Sequence, residues 1–131
     1  MAPSHPVVLV VDDEPETCAF VELALEPAGY DVECAADAAS GLARIAEGGI
    51  DLVLLDRMLP DADGLEVCRR VRARGDDLPI VMLTAMVGRP ARLSSFIEGA
   101  HDYLNKPVEV DELVSCVDTW LGRPRSDSWS R

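Results

Sequence analysis

Five residues could do chemistry together. Asp12 and Asp13 stand side by side after an apolar run, Asp56 ends a second run, Thr84 ends a third, and Lys106 follows a short segment centred on Asp102-Tyr103-Leu104 and precedes a proline. Carboxylates gathered in one place repel one another and are pushed toward protonation unless a cation fills the space between them. An oxygen-only ligand set without His or Cys suits Mg²⁺, with Mn²⁺ as a substitute, and a small number of protein ligands leaves room for water and phosphate oxygens. Lys106 adds a compact point charge suited to a phosphoryl oxygen. The Thr84 hydroxyl can donate to another. With a divalent ion withdrawing charge, a carboxylate can attack phosphorus and hold the phosphoryl group as an acyl phosphate. Taken singly, each residue has a plainer reading: a helix cap for Asp12 and Asp13, a filler at a strand end for Thr84, a surface lysine for Lys106. The plainer readings weaken jointly, because they require all five to reach one rim by chance.

The elements that must position these residues alternate strand and helix. Val7 to Val11 is apolar and largely β-branched, and Leu52 to Leu55 and Pro79 to Leu83 are likewise unbroken apolar runs. Strands buried on both faces read this way, whereas one-sided strands alternate. Tyr30 to Ala35 is a shorter edge strand, and Asp102 to Leu104 centres a fifth. Between them lie helices starting near Pro15, Ala38, Gly64, Pro90 and Asp111. The first helix is expected to bury Phe20, Leu23, Ala24 and Pro27, the second Leu42, Ile45 and Ala46, the third Leu65, Cys68 and Val71, and the last Leu113, Val117, Trp120 and Leu121. Arg69, Arg70, Arg72 and Arg74 read as a solvated rim. The fourth helix, 90–98, has a weak stripe of Leu93, Phe96 and Ile97, which makes it the candidate moving element. Five βα units with short connections give an α/β, doubly wound (βα)5 sheet in three layers, with Asp12, Asp13, Asp56, Thr84 and Lys106 along its carboxyl edge, where such sheets bind ligands.

The 131 residues fit one domain, and a net charge of −12, from 24 acidic and 12 basic residues, disfavours direct contact with nucleic acid or an anionic membrane. Lys106 is the only lysine. Cys18, Cys34, Cys68 and Cys116 form no ligand motif and are expected as reduced core thiols in a cytoplasmic protein. No run is long enough to span a bilayer, and the first residues carry no signal-peptide pattern. Residues 1–5 read as a disordered start, 6–122 as the domain, and 123–131 as a tail or the beginning of a linker.

The chain resembles the receiver domain of bacterial two-component response regulators from Val7 to about Leu121. The resemblance rests on Val8-Leu9-Val10-Val11-Asp12-Asp13-Glu14, on Leu54-Leu55-Asp56-Arg57-Met58-Leu59-Pro60-Asp61-Ala62-Asp63-Gly64, on Val81-Met82-Leu83-Thr84-Ala85, and on Gly99-Ala100-His101-Asp102-Tyr103-Leu104-Asn105-Lys106-Pro107. It implies a flavodoxin-like parallel sheet of order 2-1-3-4-5 and a cis bond after Lys106. It implies Asp56 as phospho-acceptor, Asp13 and Asp56 as direct Mg²⁺ ligands, Asp12 as a ligand chiefly through water, and the Met58 carbonyl as a further ligand. Thr84 and Lys106 then contact the phosphoryl group, and Thr84 and Tyr103 move in the switch. The partners implied are a sensor histidine kinase or histidine phosphotransfer protein, and a downstream protein or attached output domain. Any enzymatic character is limited to self-phosphorylation from such a donor and slow autodephosphorylation.

Three features depart from that pattern: Arg57 after the acceptor, Val108 after Lys-Pro, and an acidic last helix with Glu109, Asp111, Glu112 and Asp118. The last departure argues for a monomer when unphosphorylated, since a symmetric copy would oppose like charges. Two other functions stay open. A Mg²⁺-dependent phosphohydrolase of the haloacid dehalogenase type also uses an Asp nucleophile, but needs a second Asp two positions on, where Met58 stands. A non-phosphorylated pseudo-receiver would ordinarily have lost part of the pocket. Walker and Rossmann glycine motifs are absent.

Overall fold

A computed structural model describes residues 5–123. The expected disordered start and tail lie outside these residues except for His5 and Arg123. The chain alternates β1 (Val7–Val11), α1 (Pro15–Leu25), β2 (Asp31–Ala35), α2 (Ala38–Glu47), β3 (Leu52–Leu55), α3 (Gly64–Ala73), β4 (Ile80–Thr84), α4 (Arg89–Ile97), β5 (Asp102–Asn105) and α5 (Val110–Trp120). All pairings are parallel and the strand order is β2-β1-β3-β4-β5.

Successive side chains on a strand face opposite sides of the sheet, so the unbroken apolar runs build two cores. Leu9, Val11, Val53, Leu55, Ile80 and Met82 pack on one side with Ile45 of α2 and Val67, Cys68 and Val71 of α3. Val8, Val10, Leu52, Leu54, Val81 and Leu83 pack on the other with Val21, Ala24 and Leu25 of α1 and Leu113 and Val117 of α5. Register then aligns the strand ends: Val11 pairs with Leu55, Leu55 with Met82, and Thr84 with Asn105. The residues that follow β1, β3 and β5 are therefore delivered to one edge. The Lys106–Pro107 bond is cis.

Several helix faces differ from expectation. In α1 the buried residues are Val21, Ala24 and Leu25, while Leu23 is exposed and Phe20 only partly covered. Apolar residues on both sides of Glu22 left the phase ambiguous, and packing against β2 and α5 resolved it. In α2 Ala38, Gly41 and Ile45 are buried and Ala46 is exposed. In α5 Leu113 and Val117 are buried, while Trp120 lies at the edge and donates its indole N–H to Asp102 Oδ2 at 3.0 Å. Arg72 leaves the solvated rim and donates to the Gly99 carbonyl oxygen at 2.7 Å. In α4 the expected stripe is reversed, with Leu93, Phe96 and Ile97 exposed and only the small Ala91 and Ser95 buried.

The cysteines require a second correction. Cys68 and Cys116 are free, the first buried and the second half-buried, but Cys18 and Cys34 form a disulfide between α1 and β2. Cys34 is exposed on the edge strand rather than buried in the core. Sequence separation hid the proximity that the packing of α1 across the β2 edge creates.

Candidate phosphoryl and metal site

The site is assembled from loops just beyond strand ends. Asp12 and Asp56 leave β1 and β3 and are nearly inaccessible, with 7% and 6% of their surfaces exposed. Lys106, arriving from beyond β5, places its Nζ 2.7 Å from Asp12 Oδ2, 3.1 Å from Asp56 Oδ2 and 2.9 Å from Glu14 Oε1. The other carboxylate oxygens are held by backbone N–H groups. Glu14 N donates to Asp12 Oδ1 at 2.8 Å and Met58 N donates to Asp56 Oδ1 at 3.0 Å. These bonds fix both carboxylates before any ligand arrives, which is the preorganisation that electrostatic catalysis requires.

Burial and charge oppose each other here. Desolvation raises the Asp12 carboxyl above its ordinary range, despite the opposing bonds from Lys106 and the Glu14 N–H, and the neighbouring Asp56 adds to the rise. Burial alone would lower Lys106, but its bonds to Asp12, Glu14 and Asp56 outweigh that and hold the ammonium charged. The residual strain on Asp12 is one that an additional cation would relieve.

A pocket of about 300 Å³ opens above these groups, lined by Asp13, Glu14, Asp56, Met58, Ala85 and Lys106. Carboxylate oxygens of Asp12, Glu14 and Asp56 lie within 4.8 Å of one another, a hard-oxygen donor set that fits a divalent cation. Sequence reasoning expected Asp13 in that inner group; Asp13 lines the pocket with its side chain exposed. Glu14 was missed, although its place directly after the acid pair was a usable signal. A larger apolar cleft of about 370 Å³, lined by Phe20, Leu83, Pro107 and Val108 among others, borders Lys106 on the α1 side. It lacks the converging carboxylates.

Thr84 is fully buried at the end of β4, and its Oγ1 accepts from Met86 N at 3.2 Å. Tyr103 is turned inward: its hydroxyl donates to the Met86 carbonyl oxygen at 2.7 Å, and Asn105 Nδ2 donates to the same oxygen at 2.6 Å. The loop after β4 is therefore tied to β5 through a single carbonyl. Gly64 is required by close approach, since a Cβ there would overlap the Asp56 carbonyl oxygen.

A parallel sheet of order 2-1-3-4-5 with acids and one ammonium at its carboxyl edge defines a flavodoxin-like domain whose acidic cluster could hold a divalent cation. Comparison with known proteins makes this specific: the model of the response regulator receiver domain family matches residues 8–118, and the chain belongs to that family. Its function is that of a phosphorylation-dependent receiver switch, and the dehalogenase-type phosphohydrolase reading is not supported. Among relatives, the chain is 42% identical over 120 residues to the DNA-binding dual master transcriptional regulator RpaA of Synechocystis sp., covering 90% of this chain and 50% of that protein. It is 40% identical to the response regulator MprA of Mycobacterium leprae, covering 92% and 53%. Similar solved structures include a CheY-like receiver domain protein from Methanospirillum hungatei, with TM-score 0.84, 32% identity and coverage of 91% and 95%. A response regulator from Thermotoga maritima gives TM-score 0.83, 30% identity and coverage of 90% and 98%. The chain spans about half the length of the first two relatives. No helix among the described residues is long and apolar enough to cross a membrane.

Proposed function

We propose that Asp56 accepts one phosphoryl group from a phosphohistidine of a sensor kinase or phosphotransfer protein. The observation that carries this is Asp56 itself, nearly buried yet opening onto the pocket, with Lys106 at 3.1 Å. An Asp56 carboxylate oxygen forms a bond to phosphorus as the donor P–N bond breaks, and that electron pair returns to the imidazole nitrogen. Lys106 offsets the added charge, and Thr84 turns its hydroxyl toward a phosphoryl oxygen. Asp13, Asp56 and the Met58 carbonyl would hold Mg²⁺ directly and Asp12 chiefly through water. Bound there, the ion supplies charge neutralisation for the transferring phosphoryl group.

The switch then runs through Thr84 and the inward Tyr103 to the surface of α4, β5 and α5. The receiver unit is residues 6–122, monomeric before phosphorylation and cytoplasmic, where Cys18 and Cys34 stand as a reducible pair. Its output lies in a downstream protein or a further domain, consistent with relatives about twice its length. Incubation with Mg²⁺ and acetyl phosphate, read by intact mass, should add one phosphate to the wild type and none to Asp56→Asn. Equal labelling of the variant, or labelling mapped elsewhere, overturns the assignment. An unlabelled wild type with its fold intact favours a pseudo-receiver.

A further inference from the structure

Arg57 directly follows the phospho-acceptor, yet it is buried, with 8% of its surface exposed. Its guanidinium forks onto Asp63, with Nε 2.8 Å from Oδ1 and Nη2 3.0 Å from Oδ2, a bidentate geometry that a lysine cannot reproduce. Its remaining arm reaches α4, where Nη1 donates to the Ala91 carbonyl oxygen at 3.2 Å and to Ser94 Oγ at 3.3 Å. This helix buries only Ala91 and Ser95, so it lacks the apolar anchor that holds the other helices. Polar contacts from Arg57 take its place.

At the other end, Asp63 belongs to the loop that cradles the acceptor. Its backbone bridges Met58, whose N–H donates to the Asp56 carboxylate, and its side chain caps α3 at Leu65 N. A continuous path therefore runs from Asp56 through Met58, Asp63 and Arg57 to α4. We propose that Arg57 is a positioning residue that couples phosphorylation of Asp56 to the stability and placement of α4, in addition to the route through Tyr103. A phosphoryl group on Asp56 draws on the Met58 N–H, shifts the Met58–Asp63 bridge, and moves the guanidinium that α4 rests on. The Tyr103 ring lies 5.3 Å from the Arg92 guanidinium on the same helix, and removing Arg57 leaves that contact in place.

This inference rests on Asp56 being the acceptor, and the test reads the two separately. The 131-residue protein, with and without acetyl phosphate and Mg²⁺, is followed by intact mass for phosphate and by hydrogen exchange for the α4 amides. The wild type should show phosphate on Asp56 and a change of about fivefold or more in α4 exchange, the lower range of measured couplings. Arg57→Met should take up phosphate while its α4 response falls below about twofold. A response ratio in Arg57→Met equal to the wild type's, even with faster exchange in both states, makes Arg57 merely structural and overturns the proposal. An α4 helix indifferent to phosphorylation in the wild type overturns it too. Absence of phosphate on wild-type Asp56 fells the acceptor reading and this inference with it. Should Arg57→Met fail to melt cooperatively, Arg57→Lys decides by the same criteria, since it keeps the charge beside Asp63 but cannot hold both ends.

Discussion

Lys106 Nζ lies 3.1 Å from Asp56 Oδ2, although 50 residues separate them in the chain. The same ammonium touches Asp12 and Glu14, so in the metal-free protein it is the cation that makes the acid cluster tolerable. A divalent ion held by the same carboxylates would compete with Lys106 before phosphate arrives and act alongside it once phosphate is present.

Substituting Lys106→Met should move two measurements in opposite directions. Mg²⁺ binding, titrated by tryptophan fluorescence or NMR, should tighten because a competing charge is gone. Phosphorylation by acetyl phosphate should slow by about 100-fold, the loss typical of one preorganised charge-stabilising donor. Asp13→Asn should weaken Mg²⁺, and Glu14→Gln should weaken it less, because Glu14 is already engaged by Lys106. Unchanged metal affinity in Asp13→Asn would remove it from the ligand set.

The Arg57 guanidinium holds the Asp63 carboxyl below the usual carboxylate range; partial burial opposes this and the Leu65 N–H assists it. The unfolded chain thus binds the proton more readily than the folded one. This contribution to stability is fully present above the ordinary value of 3.8 and is lost as pH falls through the depressed folded value. A carboxyl ¹³C titration should place the Asp63 midpoint below that of an unstructured Asp. In Arg57→Met the midpoint should rise, and no rise would mean the ion pair is not what lowers it.

Met58 and Met86 stand two residues beyond Asp56 and Thr84. Met58 is exposed over the pocket, and Met86 uses its backbone, donating to Thr84 Oγ1 and accepting from Tyr103 and Asn105 of β5. A thioether is a weak acceptor and has no proton to give, so neither side chain orients an attacking water. Phospho-Asp56 should persist for minutes or longer in Mg²⁺ without kinase or phosphatase, and Met58→Asn or Met86→Glu should shorten it. Decay of the wild type within seconds contradicts this account of lifetime.

Cys18 and Cys34 close a short loop, with a sequence separation of 16. Loops near that length give a stabilisation of about 3 kcal/mol in the chain-entropy account. Alkylation under denaturing, non-reducing conditions should label two thiols of the air-oxidised protein, those of Cys68 and Cys116. Reductant should lower the midpoint of chemical unfolding in the wild type and leave Cys18→Ser unchanged. Labelling of all four cysteines before reduction would show that the bridge does not form.

Much of this protein is determined by local sequence, because its signals need no partner to be read. The runs Val7–Val11, Leu52–Leu55 and 80–83 are apolar on both faces, which requires a covered parallel sheet, and the polar residues that end them must then share its carboxyl edge. Asp12, Asp56 and Thr84 were legible for that reason, and Lys106 as the lysine that follows the fifth strand. Contacts between residues on different elements depend on helix phase and side-chain direction, and these only packing decides. Whether α1 buries Leu23 or Leu25, whether α4 rests on Phe96 or on Ala91, and whether Cys18 meets Cys34 all follow from how each helix lies on its neighbours. Arg57 is the clearest case. The sequence marks it only as a departure from the family pattern, and the structure pairs it with Asp63. Its reach to Ala91 and Ser94 exists only because the fold brings β3 and α4 within one side chain's length.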